Sequence, residues 1–131
     1  MTRKSIEVAG LHHGGAPIPQ AALVGPLLTS GGINGMDPGT GQVPPGLEDQ
    51  VRLIFANIER ILRAAGGSPG DIAKCVFYVR DRTSRAVIDP EWTRMFPDPH
   101  SRPARHTVQH ELAGPLLVQC ELTAYIEGDA P

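Results

Sequence analysis

A chain of 131 residues with a formal net charge of -2 can bury one core and carries no global basic field, which argues against nucleic acid as its main partner. Its 13 prolines and 15 glycines lack repeat periodicity, so they fit many short connections rather than disorder or a fibrous chain. No apolar run approaches the roughly 20 residues that span a bilayer, no apolar segment follows the basic Arg3 and Lys4, and Cys75 and Cys120 have no CxxC spacing, so a cytoplasmic protein with two buried thiols, no signal peptide and no membrane contact is expected.

Residues 5–9 read as a short edge strand. Residues 12–20 form a loop, because two glycines and two prolines forbid regular structure, and its paired histidines, His12 and His13, are read as solvated. Ala21–Val24 and Leu27–Ser30 are strand pieces joined by Gly25-Pro26. Gly31-Gly32 then permits close backbone approach, and residues 37–41 carry a strong turn signal. Over residues 46–65, Leu47, Val51, Ile54, Phe55, Ile58, Ile61 and Leu62 recur at helical spacing, with acidic residues in the first turn and Gly66-Gly67 as the stop. Ile72–Val79 is β-branched and aromatic, with Ala73, Cys75, Phe77 and Val79 as the apolar face that receives the helix.

Residues 82–96 are a weaker helical region. There Asp89-Pro90-Glu91 marks a helix start, with Asp89 as N-cap and Pro90 at the first helical position. A proline-rich connector leads to Ser101-Arg102-Pro103-Ala104-Arg105-His106-Thr107-Val108. Alternation along this run puts Ala104, His106 and Val108 on one face and Arg105, Thr107 and Gln109 on the other. A buried arginine there needs a carboxylate, from the protein or from a ligand. Residues 116–126 form the last strand, and a polar tail begins at Glu127. The order of the main elements, β-β-α-β-α-β-β, predicts a two-layer α+β domain, with a mixed β-sheet and two helices on one face. Val76, Tyr78, Arg105 and Thr107 are assigned to the other sheet face, which a second subunit is expected to cover.

Several short motifs occur in a fixed order: Pro17-x-Pro19-Gln20-Ala21, Thr29-Ser30-Gly31, Asp37-Pro38-x-Thr40-Gly41, Gln50 with Asn57 and Ile58, Ala64-Ala65-Gly66, Asp71-Ile72-x-Lys74 and Pro103-Ala104-Arg105. Together, over about residues 16–126, they resemble the RidA/YjgF family of reactive-intermediate deaminases, also known as endoribonuclease L-PSP proteins. The resemblance implies a single domain over residues 1–131 with a chorismate-mutase-like fold, and a homotrimer with ligand clefts between subunits. It also implies hydrolysis of enamine and imine intermediates of small carboxylic acids to 2-oxo acids and ammonia, without metal or organic cofactor.

In that scheme Arg105 matches the arginine that holds the substrate carboxylate, work suited to a planar guanidinium fork. Ser30 and Gly31 match the position that shapes the cleft. The family glutamate of the last strand can be aligned in two registers, on Glu121 or on Gln119. Both side chains share one strand face, about 6.6 Å apart. A glutamine there orients a water without accepting its proton. Ile18 replaces an aromatic residue of the cleft lid, and Asp89 stands at a family asparagine; such departures indicate a paralogue outside the core deaminase subgroup. The candidate catalytic residues are thus Arg105 and Glu121, and the candidate substrate-binding residues Ile18, Ser30, Gly31, Asp89, Arg105, Thr107 and Gln119. The alternative is a non-catalytic trimeric binding module for small carboxylate metabolites. A ribonuclease reading lacks a basic-aromatic stripe. No metal site is expected, since His106 and His110, four apart on a strand, lie about 13 Å apart.

Overall fold

In a computed structural model that describes residues 2–127, the chain runs β1 (Arg3–Ile6), β2 (Ala21–Val24), β3 (Leu27–Ser30), α1 (Leu47–Ala64), β4 (Ile72–Val79), α2 (Arg85–Met95), β5 (Ala104–Gln109) and β6 (Val118–Tyr125). The tail beyond Glu127 lies outside the described residues. The six strands form one sheet in the order β1-β2-β3-β6-β4-β5. Only β4 and β5 are parallel neighbours, joined by the α2 crossover. β3 and β4 each run antiparallel to β6, which lies between them, so α1 makes a split crossover from one to the other.

Local chemistry accounts for the elements that frame the sheet. Val24 pairs with Leu27, leaving Gly25-Pro26 as a two-residue turn. Gly25 takes φ +57°, and proline cannot follow with a positive φ, so the turn is of the II′ kind that suits a twisted hairpin. The α1 stripe buries Val51, Ile54, Phe55, Ile58, Ile61 and Leu62 against the sheet. Gly66 at φ +85° and the bonds Gly67 N–H to Leu62 O (2.8 Å) and Gly66 N–H to Arg63 O (3.1 Å) close its C-terminus in a Schellman arrangement. Phe77, fully buried at the centre of β4, stacks on Phe55 of α1 at 5.8 Å and meets Trp92 of α2 edge-on at 6.3 Å. Both helices therefore cover the same face.

The structure departs from the sequence expectations at four places. The edge strand forms at Arg3–Ile6, earlier than residues 5–9, making six strands in all. On β4 a bulge between Ile72 and Lys74 turns Ala73 outward, and Ile72 takes its place in the core. α2 begins at Arg85, directly after a 3₁₀ turn at Arg82–Ser84, so Asp89 is mid-helix and is not an N-cap. Pro90 sits inside this helix, where its missing N–H leaves the Ala86 carbonyl without an intrahelical donor.

The fourth departure concerns β5. Its parallel register sets Arg105 beside Cys75 and Thr107 beside Phe77. Cys75 and Phe77 are buried in the core, so Arg105 and Thr107 belong to the helix side of the sheet and not to its open side. Val76 and Tyr78 do face the open side, in line with Glu121 and Gln119 of β6. The far end of that side carries an apolar row, Val24, Leu27 and Tyr125, which are 37%, 44% and 56% exposed and are cross-strand neighbours. His12 of the paired histidines is exposed, as expected, and its ring also bonds to both loops. The His12 ring accepts from Gly14 N–H at Nδ1 (3.0 Å), which leaves Nε2 to donate to Gly41 O (3.0 Å) and tie two loops together.

Candidate functional site

The predicted site residues fall into two groups on opposite sides of the sheet. The first lies where α2 crosses β5. The Arg105 guanidinium rests over the Trp92 ring, 5.1 Å from its centroid, and Nη2 donates to Asp89 Oδ1 at 2.6 Å. Trp92 is itself held edge-on against Phe96 at 4.7 Å, and Arg102 Nε donates to the Phe96 carbonyl at 2.9 Å. An aromatic face below and a carboxylate at one edge fix the guanidinium plane, and among the described residues no protein group bonds its other donors. Thr107, two residues along the same strand face, is half-buried.

The second group lies on the open side, where β3, β6 and β4 run together. The β3–β6 ladder stops after Thr29, and the Ser30 hydroxyl oxygen accepts Leu122 N–H at 2.9 Å. Pairing resumes at Ile33 with Cys120, so Gly31-Gly32 is a two-residue jump in the strand. Gly31 is the roomier of the two: its N–H donates to Gln20 O at 3.0 Å, and a Cβ there would meet nothing nearer than 3.8 Å. At Gly32 a Cβ would stand 2.5 Å from Gln119 Nε2, so a side chain there displaces the Gln119 amide. That amide nitrogen donates to Asn34 Oδ1 at 2.9 Å.

Glu121 lies between two shallow clefts. One, of about 340 Å³, is lined by Thr29, Ser30, Lys74, Val76 and Thr123. The other, of about 330 Å³, is lined by Gly32, Tyr78, His110 and Gln119. Hydrogen bonding with the Glu121 side chain, followed by desolvation and the carboxylate charge, raises the Tyr78 phenol above its ordinary pKa. Removing that charge in Glu121→Gln should move Tyr78 back down toward the ordinary tyrosine value. Phenolate absorbance against pH, with Tyr78→Phe to assign the signal, reads the change; an unshifted titration would separate Tyr78 from Glu121. Cys120 points to the opposite side and is fully buried. Burial first, then the neighbouring Cys75, pushes its thiol well above the usual range, as for an inert core thiol.

The structure thus joins Arg105 with Asp89, and Ser30 with Glu121 and, across the second cleft, Gln119. It does not join the two groups within one chain. Ile18 is 54% exposed on the loop that leads to Gln20, beside Gly31. Trp92 lies in the core, and sequence reasoning missed its second role as the platform for Arg105. It also missed Tyr78 and Asn34 as neighbours of Glu121 and Gln119, contacts that depend on strand register and leave no local signal.

The model of the family described as Endoribonuclease L-PSP matches residues 16–126. A RutC family protein of Pyrococcus horikoshii is 34% identical over 113 residues, covering 85% of this chain and 88% of that protein. The TdcF protein of Escherichia coli K12, provisionally named a reactive intermediate deaminase, is 34% identical over 95 residues, covering 71% of this chain and 73% of its own length. The crystal structure of E. coli TdcF with bound serine superposes with a TM-score of 0.83 at 29% identity, covering 93% of this chain and 98% of that one. RidA from an Antarctic Psychrobacter superposes with a TM-score of 0.85 at 30% identity, covering 94% and 99%. Among the described residues no helix is long and apolar enough to cross a membrane.

Proposed function

The chain belongs to the Endoribonuclease L-PSP family, the RidA/YjgF group, and from that premise we propose that it hydrolyses imines of small 2-oxo acids, in clefts between the subunits of a cytoplasmic homotrimer. The observation that carries this reading is the division of Arg105 and Glu121 between the two sides of one sheet. A single chain does not close both around a small molecule. The open side of one subunit laid against the β5 edge of the next brings them together. It also covers the Val24–Leu27–Tyr125 row, which is otherwise in water. The serine held by E. coli TdcF supports a small carboxylate ligand.

In this assembly Arg105 takes the substrate carboxylate with the donors that Asp89 leaves open. The Ser30 oxygen already accepts from Leu122 N–H, so its own hydrogen is the one available to the ligand or to water. Water adds to the carbon of the protonated C=N bond as Glu121 accepts its proton. The proton passes from Glu121 to nitrogen, the C–N bond breaks, and the remaining hydroxyl gives its proton through Glu121 to the departing ammonia, leaving the carbonyl of the 2-oxo acid and ammonium. One water is consumed and no redox change occurs. Ile18 and Thr107 lie at the margins of the cleft in this arrangement, and Gln119 orients the water beside Glu121.

Glu121→Gln keeps the shape and removes the proton acceptor. Ammonia release from freshly generated 2-aminoacrylate-derived imine is expected to fall about 10²-fold in kcat, the usual contribution of a positioned base. Equal rates in the two proteins would sink the assignment. A second reading, the non-catalytic binding module, draws on Gln119, whose amide is already held by Asn34 and can fix a ligand without accepting a proton. Calorimetric binding of 2-oxo acids by a protein that releases no ammonia from any imine would decide for it.

A further inference from the structure

We propose that Asp89 makes the Arg105 pocket selective for zwitterions: it prefers ligands with a cationic nitrogen one carbon from the carboxylate, such as α-amino acids and protonated 2-imino acids, over 2-oxo acid anions. The proposal rests on the reading of Arg105 as the carboxylate clamp, and it adds a selection that this clamp alone does not make.

Among the described residues the only side-chain task of Asp89 is to hold one edge of the Arg105 guanidinium. It lies mid-helix, so it caps no helix end. Its one ion pair among the described residues is with Arg105, although Arg85 stands four residues earlier on the same helix. The contact joins Asp89 Oδ1 to Arg105 Nη2, and no protein group among the described residues bonds Oδ2 or the remaining guanidinium nitrogens. The Asp89 side chain is 58% exposed, while the Arg105 side chain, lying over Trp92, is 20% exposed. The pair therefore presents a largely buried positive edge and an exposed negative edge in contact with one another.

An anion that meets this pair is attracted by Arg105 and repelled by Asp89, and the two effects largely offset each other. A ligand with a carboxylate and a cationic nitrogen on the same carbon meets both with the right sign. Its carboxylate takes the free guanidinium donors and its nitrogen faces Asp89. For a bound imine, a nearby carboxylate favours the protonated C=N form, which is the form that water attacks. Hydrolysis then removes the positive nitrogen. The 2-oxo acid left behind meets an uncompensated Asp89, so the pocket that holds the substrate releases the product.

Calorimetry of the full-length protein with alanine and with pyruvate, two ligands of the same carbon skeleton, tests this directly. Wild type should bind alanine about tenfold more tightly than pyruvate, and the near-isosteric Asp89→Asn should reverse the order. Asp89→Ala, which removes the charge by a second route, should shift the ratio in the same direction, and circular dichroism of each variant confirms that it is folded. Binding that is lost in Arg105→Ala but keeps the same alanine-to-pyruvate ratio in both Asp89 variants would overturn the zwitterion proposal while leaving the clamp intact. Binding of neither ligand to wild type, or binding unchanged in Arg105→Ala, would instead overturn the clamp and this proposal with it.

Discussion

Replacing Arg105 with alanine is expected to lower kcat/KM for imine hydrolysis about 10³-fold while the fold survives. A bidentate guanidinium–carboxylate contact comprises two charge-assisted bonds of about 1.5–3 kcal/mol each. Losing about 4 kcal/mol of transition-state stabilisation corresponds to roughly three decades in rate. A smaller loss should appear as instability. Trp92 gives up a largely desolvated cation–π contact worth about 1–2 kcal/mol, and Asp89, more than half exposed, returns to water. Arg105→Lys keeps the charge but not the fork, so its rate should fall between wild type and alanine. Steady-state ammonia release and thermal unfolding on the same preparations check both halves. A variant that unfolds as readily as it loses activity would make Arg105 a structural residue.

Gln50→Leu should cost about 3–5 kcal/mol of stability, the largest effect expected from a single polar side chain in this chain. Gln50 is fully buried in the first turns of α1. Its Nε2 donates to Pro44 O at 2.8 Å and to Pro115 O at 3.0 Å, and its Oε1 accepts Leu117 N–H at 2.9 Å. One amide thus ties the helix to the loop that precedes it and to the segment that leads into β6. Leucine fills similar space but satisfies none of these bonds, leaving three backbone groups short of a partner at about 1–3 kcal/mol each. Gly35 adds to the constraint, because a Cβ there would stand 2.4 Å from Gln50 O, so the helix cannot shift to compensate. The midpoint of urea unfolding should fall at constant m-value. A shift equivalent to less than about 1 kcal/mol would mean that water replaces the amide.

Residues 21–79 were the most legible part of the chain. The α1 stripe, the Gly66-Gly67 stop and the run of β4 all follow from local periodicity and turn chemistry, and each forms where expected to within a residue or two. Asp89-Pro90 misled for an equally local reason. It carries the pattern of a helix start, but Asp81 and the 3₁₀ turn at Arg82–Ser84 had already begun the helical path.

The family resemblance was also carried by the sequence, and with it the choice of Arg105, Ser30 and Gly31 as candidate site residues. What the motifs did not reveal was why Gln50 and Asn57 belong among them. Both are buried amides that bind loop carbonyls, Asn57 holding Asn34 O and Met36 O at 2.9 Å each. A sequence motif records such a residue without its partners.

Alternation along β5 correctly grouped Arg105 with Thr107, because side-chain direction has a period of two. It could not say which side of the sheet that group would face. That depends on the strand alongside, and only the pairing of Arg105 with Cys75 and of Glu121 with Val76 separates the two residues. The sequence by itself therefore determined which charged groups the protein possesses and which of them share a strand face. The tertiary structure decided which charges meet, because register between distant segments is set by packing over the whole sheet rather than by any local run of residues.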